Sequence, residues 1–140
     1  MMANSRIFVS RSHGDVDNNS SYIFLKGKEP GHTLSSNDIY NFDTETALVD
    51  LSNCELIIFV GCYTGAHSSK SLYHAAKAAG AKEVICFKDS ILEKRANDWI
   101  GDFFEYYSQG CTVQDAIDIM YGGDDENSLV HDIMLKYVLF

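Results

Sequence analysis

Residues 55–87 read "ELIIFVGCYTGAHSSKSLYHAAKAAGAKEVICF", and they decide the fold. After its opening glutamate, the run from Glu55 to Val60 is continuously apolar, the pattern of a strand covered on both faces. "EVICF", from Glu83 to Phe87, reads the same way. Between them Leu72, Ala75, Ala76 and Ala79 recur at helical spacing, with Ser68 or Ser69 as the expected cap and Gly80 as the stop. Strand, helix and strand at this length make a βαβ unit, so the central sheet is expected to be parallel.

Working outward, Arg6 to Ser10 and Tyr22 to Lys26 also read as strands. "GKEPGHTLS" (27–35) is turn chemistry and holds the only proline. Ser35 with Asp38 resembles a capping box, which predicts a short helix through Tyr40 and Phe42. Downstream, Leu92, Ala96, Trp99, Ile100, Phe103, Phe104 and Tyr107 recur at helical spacing, an aromatic stripe expected to face the core. Gly110 should end that helix. Thr112 with Asp115 should begin another, carrying Val113, Ala116, Ile117 and Met120. "GGDDENS" (122–128) reads as a polar loop, and a final strand is expected from Lys136. There are no internal repeats and no low-complexity segment.

The chain has 140 residues, which suits one compact domain, and its 46% hydrophobic and 22% charged residues are ordinary for a globular protein. With 20 acidic against 11 basic residues, a net charge of -9 disfavours nucleic acid as a partner and tolerates basic peptides. No apolar run approaches the ~20 residues of a membrane span, and the N-terminus lacks the apolar core of a signal peptide. Cys54, Cys62, Cys86 and Cys111 are widely separated, with no CxxC pair. These features predict free thiols and a cytoplasmic location. Neither the cysteines nor the five histidines show metal-ligand spacing, so no zinc is expected.

Two apolar strands end in reactive residues: "RIFVSRSHGD" (6–15) at His13, and "ELIIFVGC" at Cys62. In an open parallel sheet the C-terminal strand ends share one edge, where ligands bind. The two residues are 49 positions apart, yet this topology places them on one rim. A thiolate there is a nucleophile, and an adjacent imidazole can take the thiol proton. Gly14 lets its backbone N–H approach a substrate carbonyl, and with the N–H of Cys62 it would make a two-donor oxyanion hole. Gly61 and Gly65 are expected to keep the rim open.

The other candidates are weaker. His67 could replace His13 but precedes a helix. His74 falls within the helix, and His32 and His131 read as surface residues. Cys86, inside "VICF", reads as a small buried hydrophobe, and nothing argues for a role for Cys54 or Cys111.

On "FVSRSHGD" and "LIIFVGCYTG" the chain resembles the caspase-like (clan CD) superfamily of cysteine peptidases, in its CHAT-domain variety. "AAKAAGAKEVICF" is similar to the family's helix, turn and following strand, and "WIGDFFEYYSQGCTVQDAIDIM" to its aromatic helix, glycine and second helix. The resemblance covers residues 6–140 and implies a three-layer α/β sandwich with a mostly parallel sheet. It implies a cysteine endopeptidase in which Cys62 is the nucleophile, His13 the general base and acid, and Gly14 an oxyanion donor. It implies no metal and no organic cofactor.

Family members carry more strands before the histidine strand, so a partial domain is expected, with an exposed sheet edge that recruits a second copy or a complementing chain. Tyr63 stands where CHAT domains commonly have glutamate. In separases the strand corresponding to "VICF" leads into an aspartate that receives a basic side chain, and Asp89 is similar in position. The alternative function is a catalytically inactive scaffold serving as a protein-interaction module. A flavodoxin-like or receiver-type domain is disfavoured, because no phosphate loop or strand-end acidic cluster is present.

Overall fold

The computed structural model describes residues 2–18, 20–25, 31–66 and 69–121. In chain order the strands and helices begin with β1 (Ile7–Arg11), β2 (Gly14–Val16), β3 (Ser21–Phe24) and β4 (Thr33–Ser35). There follow α1 (Ser36–Ile39), β5 (Tyr40–Asn41), β6 (Thr46–Ala47) and β7 (Leu56–Val60). The last are α2 (Leu72–Ala78), β8 (Glu83–Cys86), α3 (Glu93–Tyr107) and α4 (Val113–Tyr121). The fold is mixed α/β, with one small parallel sheet and two antiparallel ones.

The parallel sheet has the order β1-β7-β8, with Arg11 beside Val60 and Phe59 beside Cys86. All five residues of β7 are buried, as its unbroken apolar run requires of a central strand. Its alternate side chains feed two cores. Ile57 and Phe59 pack with Val84 and Cys86 under Leu72, Ala75, Ala76 and Ala79, the predicted helical stripe. Leu56, Ile58 and Val60 pack with Ile85 and Phe87 under Ala96, Trp99 and Phe103 of α3 and Val113, Ala116, Ile117 and Met120 of α4. Along α3, Trp99 stacks on Phe103 and Phe103 on Tyr107, at ring-centroid separations of 5.2 and 5.4 Å.

Local signals hold at several ends and fail at others. Ser35 and Asp38 form the capping box of α1, but the helix ends at Ile39, and Tyr40–Asn41 turn into a strand paired with Thr46–Ala47. The cap of α2 is Ser71, whose hydroxyl accepts from His74 N–H; the expected start at Ser68 or Ser69 came too early. Gly80 (φ 105°) and Gly110 (φ 92°) follow the ends of α2 and α3 in the left-handed region, as a helix-ending glycine should. Thr112 Oγ1 accepts from Asp115 N–H at the start of α4.

The predicted strand over Tyr22 to Lys26 is present in its described part as β3, which lies outside the parallel sheet, in an antiparallel one with β2 and β4. The predicted loop at 122–128, the strand from Lys136, and His67 and His131 lie outside the described residues. No described helix is long and apolar enough to cross a membrane.

Candidate active site

β1 and β7 are neighbours running in the same direction, so their C-terminal ends coincide. β1 leads into Ser12, His13 and Gly14, and β7 into Gly61 and Cys62. The structure brings His13 and Cys62 into the lining of one cavity of about 230 Å³. Arg11, Ser12, Val60 and Gly61 complete the strand side of that cavity, and Ile91, Glu93 and Ala96 close the α3 side. His13 is exposed and Cys62 half-buried, an arrangement open to a ligand.

Two glycines hold these strand ends together. A Cβ on Gly14 would lie 2.3 Å from the carbonyl oxygen of Cys62, and one on Gly61 would lie 2.8 Å from that of Ser12. Each turn therefore presses its bare Cα against the backbone of the other. Gly61, expected to keep the rim open, lines the cavity and also packs its bare Cα against the turn after β1. Gly14 pairs with Ile23 across β2 and β3, while Phe24 N–H donates to His13 O at 2.9 Å. That pattern makes Gly14 and Ile23 a non-hydrogen-bonded pair, so Gly14 N–H points away from β3. A Cβ on Gly61 would lie 3.3 Å from that nitrogen, which places it beside the cysteine turn.

The turn after the cysteine is tied on three sides. Thr64 is fully buried, its Oγ1 lying 2.9 Å from Phe59 O and 3.1 Å from Gly61 O while accepting from Phe87 N–H at 3.1 Å. Gly65 N–H donates to Phe87 O at 2.9 Å, and Tyr63 N–H to Asp89 O at 3.2 Å. Ser21 Oγ, also buried, donates to Thr64 O at 2.9 Å and accepts from Leu72 N–H at 2.7 Å. Tyr63 itself sits at φ 58°, a conformation that a bulky side chain rarely adopts. Such outliers persist where surrounding contacts over-determine the backbone.

The Cys62 sulfur hydrogen-bonds to the Ile91 peptide groups, accepting from N–H at 3.4 Å and facing the carbonyl oxygen at 3.7 Å. It makes no hydrogen bond to His13. Of the other thiols, Cys54 and Cys86 are buried, and burial pushes both up from the ordinary value of 9.0, with Asp50 adding to the effect at Cys54. Both are therefore protonated at neutral pH and closed to substrate. Cys111 is half-buried beside the α3–α4 core. His74 faces Ser71, with Nδ1 2.8 Å from Oγ, and burial lowers it from 6.5. His32 is exposed.

Asp89 is exposed and is not part of the cavity lining; its Oδ1 accepts from Ser90 N–H at 2.7 Å. The carboxylate in the wall is Glu93, at the first position of α3. Arg11 donates to Asn97 Oδ1 across the same cavity wall. Glu93, Arg11 and Ile91 were not singled out by the sequence, and only the strand-end position of Arg11 could have pointed to it. Among the described residues no group of three or more His, Cys, Asp or Glu side chains could hold a metal ion.

The arrangement presents a thiol and an imidazole in one small cavity, with the Gly14 N–H directed away from β3 beside the cysteine turn. These are the parts that acyl transfer through a thioester requires. No protein-family model matches the chain, and no curated protein matches it.

Proposed function

We propose that the chain is a cysteine endopeptidase of the caspase-like, CHAT type, with Cys62 and His13 as its dyad. The observation that carries the reading is their meeting in one cavity at the ends of two adjacent parallel strands. The finer architecture, a three-layer sandwich of caspase-like topology, belongs to the same proposal and is supported by helices on both faces of the parallel sheet.

In the reaction, His13 takes the Cys62 proton and the sulfur attacks the peptide carbonyl carbon. Gly14 N–H and Cys62 N–H receive the developing oxyanion. Collapse breaks the C–N bond, with His13 returning its proton to the leaving amine. Water activated by His13 then hydrolyses the thioester and regenerates the thiol. A basic side chain before the cleaved bond would find Glu93 in the wall, with Asp89 further out.

The test is labelling with a peptidyl acyloxymethyl ketone at neutral pH. Selective modification of Cys62, abolished by Cys62→Ala and strongly slowed by His13→Ala, supports the peptidase. Equal labelling of several thiols, or labelling indifferent to His13→Ala, overturns it. One observation favours the second reading, an inactive interaction scaffold: the sulfur is engaged by Ile91 rather than by His13.

A further inference from the structure

The parallel sheet ends at β1, whose outer side pairs with no strand among the described residues. Ser12 N–H donates to Val60 O at 3.0 Å, and Leu56 N–H to Arg6 O at 3.1 Å, so even-numbered residues of this strand bond to β7. Backbone groups alternate sides along a strand, so those of Ile7, Val9 and Arg11 face the open edge. The side chains of the same three residues lie on the α3 face, away from Phe8, which packs in the other core. α3 and α4 cover β7 and β8 there but leave Ile7 44% and Val9 39% exposed. Among the described residues, the edge backbone groups and the half-covered side chains of Ile7 and Val9 thus offer one continuous open strip.

The charge of the strip is unusual for this chain. Two of its three arginines, Arg6 and Arg11, bracket β1, and no acidic residue falls between them, although the protein carries -9 overall. A second copy would bring its own Arg6 and Arg11 to the same edge and add like charge there, whereas an extended segment with acidic ends complements both. Arg6 is already shared with Glu55 at 2.6 Å but is exposed enough to accept a second carboxylate, and Arg11 has only the neutral Asn97.

We propose that the open edge of β1 docks an extended segment of a partner protein as an added strand. Apolar side chains of that segment cover Ile7 and Val9, and acidic side chains at its ends meet Arg6 and Arg11. This is strand addition, in which backbone bonds give affinity and alternate side chains give selectivity. It stands independently of the catalytic reading.

The probe is the peptide acetyl-Asp-Val-Thr-Val-Thr-Glu-amide, followed by NMR on the ¹⁵N-labelled chain, with a version carrying lysine at both ends as control. In the free protein the amides of Ile7, Val9 and Arg11 should exchange fast, and those of Phe8 and Ser10 slowly. The acidic-ended peptide should protect the first three and bind about tenfold more tightly than the lysine-ended one, a difference lost in Arg6→Gln/Arg11→Gln. Val9→Pro removes an open-edge N–H without touching the β7 ladder and should abolish binding, while Val9→Thr keeps the N–H and should retain it. Absence of binding, or equal binding of both peptides, overturns the proposal. So does slow exchange at Ile7, Val9 and Arg11 in the free monomer, which would mean that residues 122–140 already occupy the edge. A concentration-dependent dimer that protects the same three amides would assign the edge to a second copy instead.

Discussion

Gly14→Ala tests the interlock between the two strand ends more directly than any change to the reactive side chains. The added methyl carbon would start 2.3 Å from Cys62 O, where ordinary contact begins at 3.4 Å, so a backbone segment must move by about 1 Å. Neither side yields readily. Cys62 leads into a turn held through Thr64, Gly65 and Tyr63, and Gly14 is held by the pairing of β2 with β3. Overpacking of this kind costs about 1–3 kcal/mol. Urea unfolding should show it as a lower midpoint at unchanged slope. The same shift carries His13 relative to Cys62, and a misplacement of about 1 Å at reacting groups can cost roughly a hundredfold in rate. Gly101→Ala is the internal control. It lies exposed within α3 with nothing within 4 Å of its Cβ position, and it should stabilise by about 0.5–1 kcal/mol. A Gly14→Ala protein with the wild-type urea midpoint and wild-type labelling of Cys62 would refute the interlock.

Thr64→Val keeps the volume of the buried side chain but strands the Phe87 N–H, and should cost about 1–3 kcal/mol in the same unfolding assay; an unchanged midpoint would contradict this. His74 is held below 6.5 by burial, so the unfolded chain takes up its proton first as the pH falls. The contribution of His74 to stability is therefore level above pH 6.5 and declines as the pH drops from there toward its folded value. His74→Gln removes that slope, and a stability difference between wild type and variant that stays constant from pH 7 to pH 5 would count against the assignment. Cys86→Ala should leave probe labelling of Cys62 intact, because its thiol is wholly buried and kept protonated; loss of labelling in a folded variant would bring Cys86 into the site.

The sequence made the βαβ unit legible because a central parallel strand has no solvent face, and "LIIFV" is what that environment demands. It made the meeting of His13 and Cys62 legible for a related reason, since adjacent parallel strands must end on the same edge. The antiparallel elements left weaker traces. β2 is three residues, "GDV", with no alternation long enough to detect, and its pairing rests on the fit of Gly14 beside the cysteine turn. The capping box marked where α1 begins but not where it stops, because pairing of Tyr40–Asn41 with Thr46–Ala47 outcompetes one more helical turn. Ser71 displaced the earlier serines as the cap of α2; its hydroxyl serves His74 N–H and the imidazole together. Glu93 and Ile91 reach the cavity only because α3 starts beside it, a tertiary fact that no local pattern encodes.

The stacked rings along α3 carry an optical consequence. Trp99 is the only tryptophan of the chain, is 1% exposed, and sits between Phe103 at 16° and the edge of Phe87. Its emission should therefore be blue-shifted and poorly quenched by iodide or acrylamide in the folded state. Phe87 joins the fluorophore to the cysteine turn, since its amide and carbonyl bond to Thr64 and Gly65. Any event that loosens that turn is relayed over two contacts to the indole, so the protein carries an intrinsic spectroscopic gauge of its own cavity, readable without a label.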